Sequence, residues 1–284
     1  MPTTVPARRL PTAPSAPEAS LGALLRGWRQ RRHLSQLALA LAADVSQRHL
    51  SFVESGRARP SRELVLRLGE HLALPLRERN RLLLAAVYAP VFAERALDDP
   101  AMGAARAAVE RVLRGHEPFP ALAVDRHWTL VAANRAVTPL LVGAVPRLLA
   151  PPVNVLRLSL DPEGIAPRIV NLAQWRAHLL ERLQHQVDAS GDATLAALHD
   201  ELRAYPAPGA ASRSSLRAVA ADGAGVFVPL QLATDAGVLS FLSTTTVFGT
   251  PVDVTLAEIA LECFFPADDA TAARLRALAA DGAR

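Results

Sequence analysis

Arginine gives the clearest chemical signal in this sequence, and it is unevenly distributed. Between Ser20 and Arg95 there are 13 Arg against 6 Asp and Glu, a balance of +7, whereas Pro100 to Arg284 has 16 Arg against 18 acidic residues, a balance of −2. Guanidinium groups bind phosphates and guanine edges, so a basic region of this kind is typical of a nucleic-acid binder. The charge pattern therefore predicts that the first region, and not the second, contacts nucleic acid.

The other titratable side chains do not form a catalytic or metal-binding motif. Acids and bases suited to catalysis are present at Asp125, His127, His178, His185 and Glu262. No GxSxG elbow, phosphate-binding loop or dinucleotide fingerprint organises them. The single cysteine, Cys263, cannot form an internal disulfide, and no CxxC or HxxxH cluster supports a zinc site. We therefore predict no catalytic residue, no metal and no cofactor, and we interpret Cys263 as a small core residue.

Helical periodicity predicts five short helices between residues 21 and 88. Ser35 and Ser46 are expected to cap the second and third helices, because a serine hydroxyl can accept a free amide of the first turn. Gly56 is expected to end the third helix with a positive φ. The apolar positions expected on the inner faces are Leu21, Leu24, Leu25 and Trp28, then Leu37, Ala38 and Leu41, then Leu50 and Val53, then Leu64, Leu68 and Leu72, with Leu76, Leu83 and Leu84 as the apolar positions of the fifth helix.

The segment from Leu34 to Gly56 contains the parts of a helix-turn-helix in the required order. Its sequence is LSQLALALAADVSQRHLSFVESG. A positioning helix is followed by a tight turn and by a second helix that can present its N-terminal side chains to the major groove. The segment resembles the Cro and phage-repressor class of helix-turn-helix domains, the xenobiotic-response-element family. The marks of that likeness are Ser35-Gln36, Ser46, Glu54-Ser55-Gly56 and Arg59-Pro60-Ser61.

This resemblance implies a role for each of several residues. The residues expected to contact base edges are Gln47, Arg48, Ser51 and Phe52. Gln can bond adenine, and Arg can bond guanine, through two hydrogen bonds, each good pair discriminating by about 1 to 3 kcal/mol. The residues expected to bind DNA phosphates are Gln36, Ser46, Arg57, Arg59 and Arg62. Arg29 and Glu54 would join the first helix to the third and hold the recognition helix in place.

The pattern changes after residue 95, and a mixed α+β region is predicted. A helix over residues 101–113 is expected to connect two domains. The expected strands are 121–124, 129–132, 226–233, 238–248 and 254–265. The last three are most simply an antiparallel meander, because their gaps are too short for crossover helices. Further helices are expected at 134–141, 169–186, 193–203 and 270–280.

Over residues 21–278 the chain resembles a narrower family, the MmyB-like regulators, in which this DNA-binding domain precedes a PAS-like ligand-binding domain. The first half of the likeness is RHLSFVESGRARPS from Arg48 and PLRERN from Pro75. The second half is Asp125-Arg-His-Trp128, Asn134-Arg-Ala136, Asn154-Val-Leu-Arg157, Asn171 with Trp175, and Phe248-Gly-Thr-Pro251. The sequence departs from the family at Val87, where members often have Gly before the tyrosine.

The family resemblance implies an effector pocket between the sheet and its helices, for a small apolar or fatty-acid-like molecule. The residues proposed to line it are Trp175, His178, Leu179, Phe241 and Phe248. Ordinary core packing is the alternative for each residue. For the domain as a whole, the alternative is a module that only dimerises the protein or binds a protein partner. A homodimer is expected in any case, because one recognition helix reads a short half-site and two-fold operators match two-fold proteins.

These features together predict the organisation of the chain. We expect a disordered tail at 1–19, a helix-turn-helix DNA-binding domain at 20–95, a linker helix at 96–117 and a PAS-like ligand-binding domain at 118–280. The first twenty residues contain five prolines and no apolar run suited to a secretory signal. No stretch reaches the roughly 18 apolar residues that a spanning helix needs. We expect a cytoplasmic, non-enzymatic protein that binds double-stranded DNA and no membrane.

Overall fold

The computed structural model describes residues 20–206 and 227–281. The tail predicted at 1–19 and the first residue of the strand predicted at 226–233 lie outside these ranges. The chain divides between Phe92 and Ala93 into two compact units. Within the described ranges, no helix is long and apolar enough to cross a membrane.

Five α-helices build the first unit, as the periodicity predicted. They are α1 (Leu21–Arg31), α2 (Gln36–Ala42), α3 (Gln47–Glu54), α4 (Arg62–His71) and α5 (Leu76–Ala85). Serines cap the first four: the hydroxyls of Ser20, Ser35, Ser46 and Ser61 each accept the amide three residues later, at 3.0 to 3.3 Å. Gly56 follows α3 with φ 74°, the conformation in which glycine costs least.

The inner face predicted for α2 is wrong. Leu39 and Ala40 are buried, whereas Leu37 and Leu41 are 50% and 71% exposed. The sequence of α2 alternates Leu and Ala, so this two-turn helix has a leucine on every side. Packing against α3 and α4, and not the pattern, therefore selects which leucine is buried. The inner positions predicted for α3 and α4 are buried.

A five-stranded antiparallel sheet forms the centre of the second unit, in the order β2-β1-β5-β4-β3. The strands are β1 (Ala121–Val124), β2 (Leu130–Ala133), β3 (Leu230–Thr234), β4 (Gly237–Val247) and β5 (Ala260–Pro266). Strands β3, β4 and β5 form the predicted meander. The strand predicted at 254–265 is wrong in its first half, because the Asp253 carboxylate accepts the Thr255 amide at 2.9 Å and begins a helical turn there.

Helices cover both faces of this sheet. They are α6 (Gly103–Gly115), α7 (Pro146–Leu149), α8 (Val155–Leu160), α9 (Leu172–Ser190), α10 (Ala193–Ala204), α11 (Val254–Ala257) and α12 (Asp269–Asp281). The helix predicted at 134–141 is a 3-10 helix, Arg135–Leu141, with Pro139 inside it. A proline lacks the amide that an α-helix needs at that point. Helices α7 and α8 were not predicted.

Strand alternation sends each residue of β1 to one of two cores. Ala121 and Ala123 pack with α6, through Val109 and Leu113, while Val124 packs with the helices on the opposite face. The helix expected to link the domains thus covers the sheet of the second unit. Cys263 is buried on the α6 side, as predicted for a core residue, and burial raises the pKa of its thiol.

Candidate DNA interface and ligand cavity

The N-terminal turn of α3 presents its polar side chains to solvent. Gln47 and Arg48 are exposed, and Ser51 and Phe52 are half-buried one turn later. The guanidinium carbon of Arg48 lies 5.3 Å from the centre of the Phe52 ring, and that of Arg57 lies 5.9 Å from it. These are cation–π distances. The polar side chains of this turn therefore lie beside an aromatic ring that contacts two arginines.

The predicted phosphate anchors lie at both ends of α3. Arg57, Arg59 and Arg62 are exposed in the turn after α3 and at the start of α4. Ser46 is exposed at the other end, where its hydroxyl accepts the His49 amide. Gln36 differs from these four, because its side-chain amide donates to the Glu54 carboxylate at 2.9 Å.

Glu54 holds α3 against α1 and α2 through a buried network. Its carboxylate, fully buried, accepts Nε of Arg29 at 2.7 Å and Nη2 at 3.0 Å. Arg26 adds a longer contact of 3.5 Å. Burial by itself raises the pKa of Glu54, but the hydrogen bonds from Arg29 and Gln36 outweigh it and hold the pKa below its ordinary value. The sequence resemblance paired Arg29 with Glu54; the structure adds Gln36 to the pair.

An apolar cavity lies between the sheet and α8 and α9. Its empty space is about 890 Å³ when the open mouth is included. The walls are aromatic and aliphatic, with Leu122, Trp128, Trp175, Leu179, Phe241 and Phe264 among them. Both indoles are fixed, since Trp128 Nε1 donates to Gln186 at 2.8 Å and Trp175 Nε1 donates to Ser159 at 3.0 Å. Such a site suits a compact apolar molecule.

Three of the five predicted pocket residues line this cavity, and two do not. Trp175, Leu179 and Phe241 are in its wall. His178 lies beside the Trp175 ring, 5.6 Å between centres, where burial and nearby Arg182 lower the pKa of its imidazole. Phe248 packs with the core under α6, on the opposite face of the sheet. Phe248 is seven residues from Phe241, and strand alternation places positions an odd number apart on opposite faces of a sheet, so the two phenylalanines could not both face the cavity.

Several cavity residues were missed from the sequence. Trp128 lies after a tight turn with φ 65° and reaches the cavity from the β1–β2 connection. Arg182 and Glu262 also line it, 80 residues apart in sequence and bound to each other. Glu262 lies between Leu261 and Cys263 of β5 and faces the opposite side of the sheet from them. Nothing in the sequence paired it with α9.

The polar residues of the second-half motifs bond to backbone. Asn134 accepts the Ala121 amide and donates to two carbonyls, and Asn171 bonds to Pro229 and Gln231 beside β3. Asn154 caps α8 and donates to His127. These side chains close the ends and edges of the sheet.

Two family models match the chain, and together they cover both units. A model for the MmyB-like transcription regulator ligand binding domain matches residues 105–278, and a helix-turn-helix domain model matches residues 20–82. The chain belongs to the MmyB-like transcription regulators. Among solved structures, the clp gene regulator ClgR from Corynebacterium glutamicum is similar to it at 29% identity over 36% of this chain and 99% of its own, with a TM-score of 0.22. No curated protein gives a significant match.

An MmyB-like regulator is a DNA-binding transcription regulator, so the two sites have distinct tasks. The helix-turn-helix is the DNA-binding part of the regulator, and the second unit matches a ligand-binding domain. The titratable residues considered for catalysis are dispersed: the Asp125 carboxylate accepts backbone amides at its turn, and His127 pairs with Asp192 at 3.0 Å. Within residues 20–206 and 227–281, no three His, Cys, Asp or Glu residues are grouped to hold a metal ion.

Proposed function

We propose that this MmyB-like regulator reads a specific operator as a homodimer and that a small apolar or fatty-acid-like effector, bound under the sheet of a PAS-like domain, controls the reading. The observation that supports operator reading is the exposed first turn of α3, where Gln47 and Arg48 face solvent while the Glu54 network holds the helix against α1 and α2. A rigid helix face of this kind suits the major groove.

The residues assigned to reading the base sequence are distinct from those assigned to binding phosphates. Gln47, Arg48, Ser51 and Phe52 are assigned to base edges. Arg57, Arg59 and Arg62, with Ser46, are assigned to phosphates, which add affinity at any sequence. Gln36 is assigned to a phosphate through the amide hydrogen that Glu54 does not take, since a side-chain amide carries two donors.

Gel-shift assays with a selected operator and a scrambled duplex test this division. Arg48→Ala is expected to reduce the preference for the operator by about 10-fold to 100-fold, the loss of one base pair contact. Arg59→Ala is expected to weaken both duplexes equally and to reduce the slope of log affinity against log salt by about 1. Arg67→Ala, an exposed arginine of α4 outside the assigned set, is the control. Unchanged preference in Arg48→Ala would contradict the assignment.

The effector half of the proposal is supported by the cavity, which lies in the matched ligand-binding domain and has almost entirely apolar walls. The five-stranded antiparallel sheet with helices over the cavity supports the PAS-like description. Trp175, Leu179 and Phe241 are assigned to the effector.

Native mass spectrometry of the purified full chain, followed by solvent extraction, tests the effector. A co-purifying apolar molecule and a thermal shift with apolar additives are expected. Leu179→Trp, which fills the cavity, is expected to abolish both, and Leu180→Trp on the same helix but outside the lining is the control. A dimer in sedimentation with no bound molecule and no thermal shift would favour a domain that only dimerises.

A further inference from the structure

The apolar cavity has one polar corner, formed by Arg182 of α9 and Glu262 of β5. These two are the charged residues among those that line the cavity within the described ranges. Glu262 is 4% exposed, so its carboxylate has left water almost completely. The Arg182 side chain is 24% exposed and lies with its guanidinium carbon 4.6 Å from the centre of the Trp128 ring.

The corner is already neutralised by the protein itself. Arg182 donates Nη2 to Oε1 of Glu262 at 2.6 Å and Nη1 to Oε2 at 3.0 Å, a two-bond pairing. Thr245 on β4 donates its hydroxyl to the same Oε1 at 3.0 Å. Arg182, the cation of the cavity, is therefore already paired with a carboxylate of the protein.

A ligand carboxylate in this corner would lie next to the Glu262 carboxylate, and the positive charge of Arg182 would already be paired with Glu262. Two carboxylates that share one site repel each other, and a charge in an apolar cavity is costly without its own partner. An uncharged donor meets no such penalty. Oε2 of Glu262 accepts one hydrogen bond from Arg182, and a carboxylate oxygen can accept a second.

We propose that the effector carries an uncharged, hydrogen-bond-donating head, such as a hydroxyl or primary amide, on an apolar tail, and that Glu262 excludes free carboxylates. This inference rests on the proposed effector function and narrows it: within the fatty-acid-like class, the cavity selects the neutral members. Glu262 is the specificity residue, and Arg182 positions it.

A competition assay on the full chain tests the inference. Nile red, an uncharged dye, is displaced by 1-decanol or by decanoate at pH 8, where the free acid is ionised. The wild type is expected to bind decanol at least about 10-fold more tightly than decanoate, equivalent to one decade in Kd. In Glu262→Gln the decanol-to-decanoate preference is expected to fall about 10-fold or more, because Arg182 is left to pair with the added carboxylate.

Decanol and decanoate differ in hydrophobicity, so the wild-type preference alone does not show that the head group is recognised. The change in that preference in Glu262→Gln does. Glu181→Gln is the matched control: it removes one negative charge next to Arg182 in sequence, yet Glu181 is exposed and does not line the cavity. It is expected to keep the wild-type preference. Circular dichroism checks that Glu262→Gln is folded, and its amide oxygen can still accept from Arg182 and Thr245.

The outcomes distinguish the two levels of the proposal. Equal or tighter binding of decanoate by the wild type overturns the neutral-head inference without any variant, while leaving the effector function in place. An unchanged preference in folded Glu262→Gln also overturns it. Failure of the wild type to bind Nile red, decanol and decanoate overturns the effector function and the inference with it.

Discussion

At the scale of single residues, Glu54 is a buried acid of the DNA-binding unit whose charge is paired on several sides. It is buried at the end of the helix that carries Gln47 and Arg48, and it binds Arg29 and Gln36 at the same time. A buried charge of this kind stabilises only while every partner is in place. Its contribution to folding should therefore depend on pH.

We expect Glu54→Gln to lower the free energy of unfolding of the first unit by about 2 kcal/mol at pH 7, the scale of hydrogen bonds to a charged group. The folded pKa of Glu54 lies below the ordinary value of 4.5. Its contribution is therefore complete above that value and is lost as pH falls through the folded pKa. The difference between variant and wild type should accordingly shrink in acid.

Urea unfolding followed by circular dichroism at pH 7 and at lower pH measures this difference. Glu70→Gln is the control, since Glu70 lies on α4 with its side chain 64% exposed. It should change stability little at either pH. A Glu54→Gln difference that stays constant from neutral to acid pH would rule out the proposed electrostatic role.

At the scale of elements, the end of α5 contains a strained residue. Val87 has φ 64°, its amide bonds to Leu84, and the next amide, of Tyr88, bonds to Leu83. These two bonds are those of a Schellman cap, whose left-handed position favours glycine. A β-branched residue there is an outlier, which gives a physical reason for the glycine that the family resemblance implies at this position.

Val87→Gly is expected to stabilise the first unit by about 1 kcal/mol, the strain of one unfavourable φ. Val87 is 82% exposed, so little packing is lost. Val91→Gly removes a nearby exposed valine with ordinary φ and is expected to be neutral or destabilising. Thermal unfolding of both variants is the measurement, and a fall in the melting temperature of Val87→Gly would contradict the strain argument.

The close packing of α1 against α3 depends on Gly22. A Cβ at Gly22 would lie 2.2 Å from the carbonyl oxygen of Glu54, whereas a Cβ at Gly27 in the same helix would meet open space. Gly22→Ala is therefore expected to cost about 2 kcal/mol or more by forcing the helices apart. Gly27→Ala is expected to gain about 0.5 to 1 kcal/mol.

Operator affinity should likewise fall in Gly22→Ala and not in Gly27→Ala, because the helix that the added methyl group would displace is α3, which carries Arg48. Melting temperature and gel-shift affinity measured on the two alanine variants check this. Equal stability of Gly22→Ala and Gly27→Ala would show that the α1–α3 contact tolerates a methyl group.

At the scale of the whole molecule, the proposed control by an effector requires a coupling free energy between effector binding and DNA binding. A ligand shifts operator affinity only by its difference in affinity for the competent and incompetent states. Linkage then requires that the operator change ligand affinity by the same factor. Calorimetry measures the affinity for 1-decanol with and without operator, and operator titrations measure the affinity for operator with and without 1-decanol. The two affinity ratios are expected to be equal. The full chain is expected to sediment as a dimer. A factor of 1 in both experiments would contradict control of operator binding by the effector.

The sequence by itself determined the helix-turn-helix, because its signals are local. A serine caps each of four helices, Gly56 follows α3, and apolar residues recur at helical spacing, so neighbouring residues decide each element. The exposed position of Arg48 follows from that spacing, whereas Arg59 is exposed in the turn between α3 and α4. The meander of β3 to β5 was also predicted, although the gap between β4 and β5 is longer than expected because α11 lies within it.

Tertiary structure decided the features that depend on residues far apart in the chain. Packing selected Leu39 over Leu37 and Leu41, and the close approach of α3 made Gly22 necessary. The cavity joins Trp128, Arg182 and Glu262, which no local pattern connects. Hydrogen bonds and spacing among sequence neighbours determine which helices and strands form. Packing and ion pairing between distant residues determine which side chains contact each other.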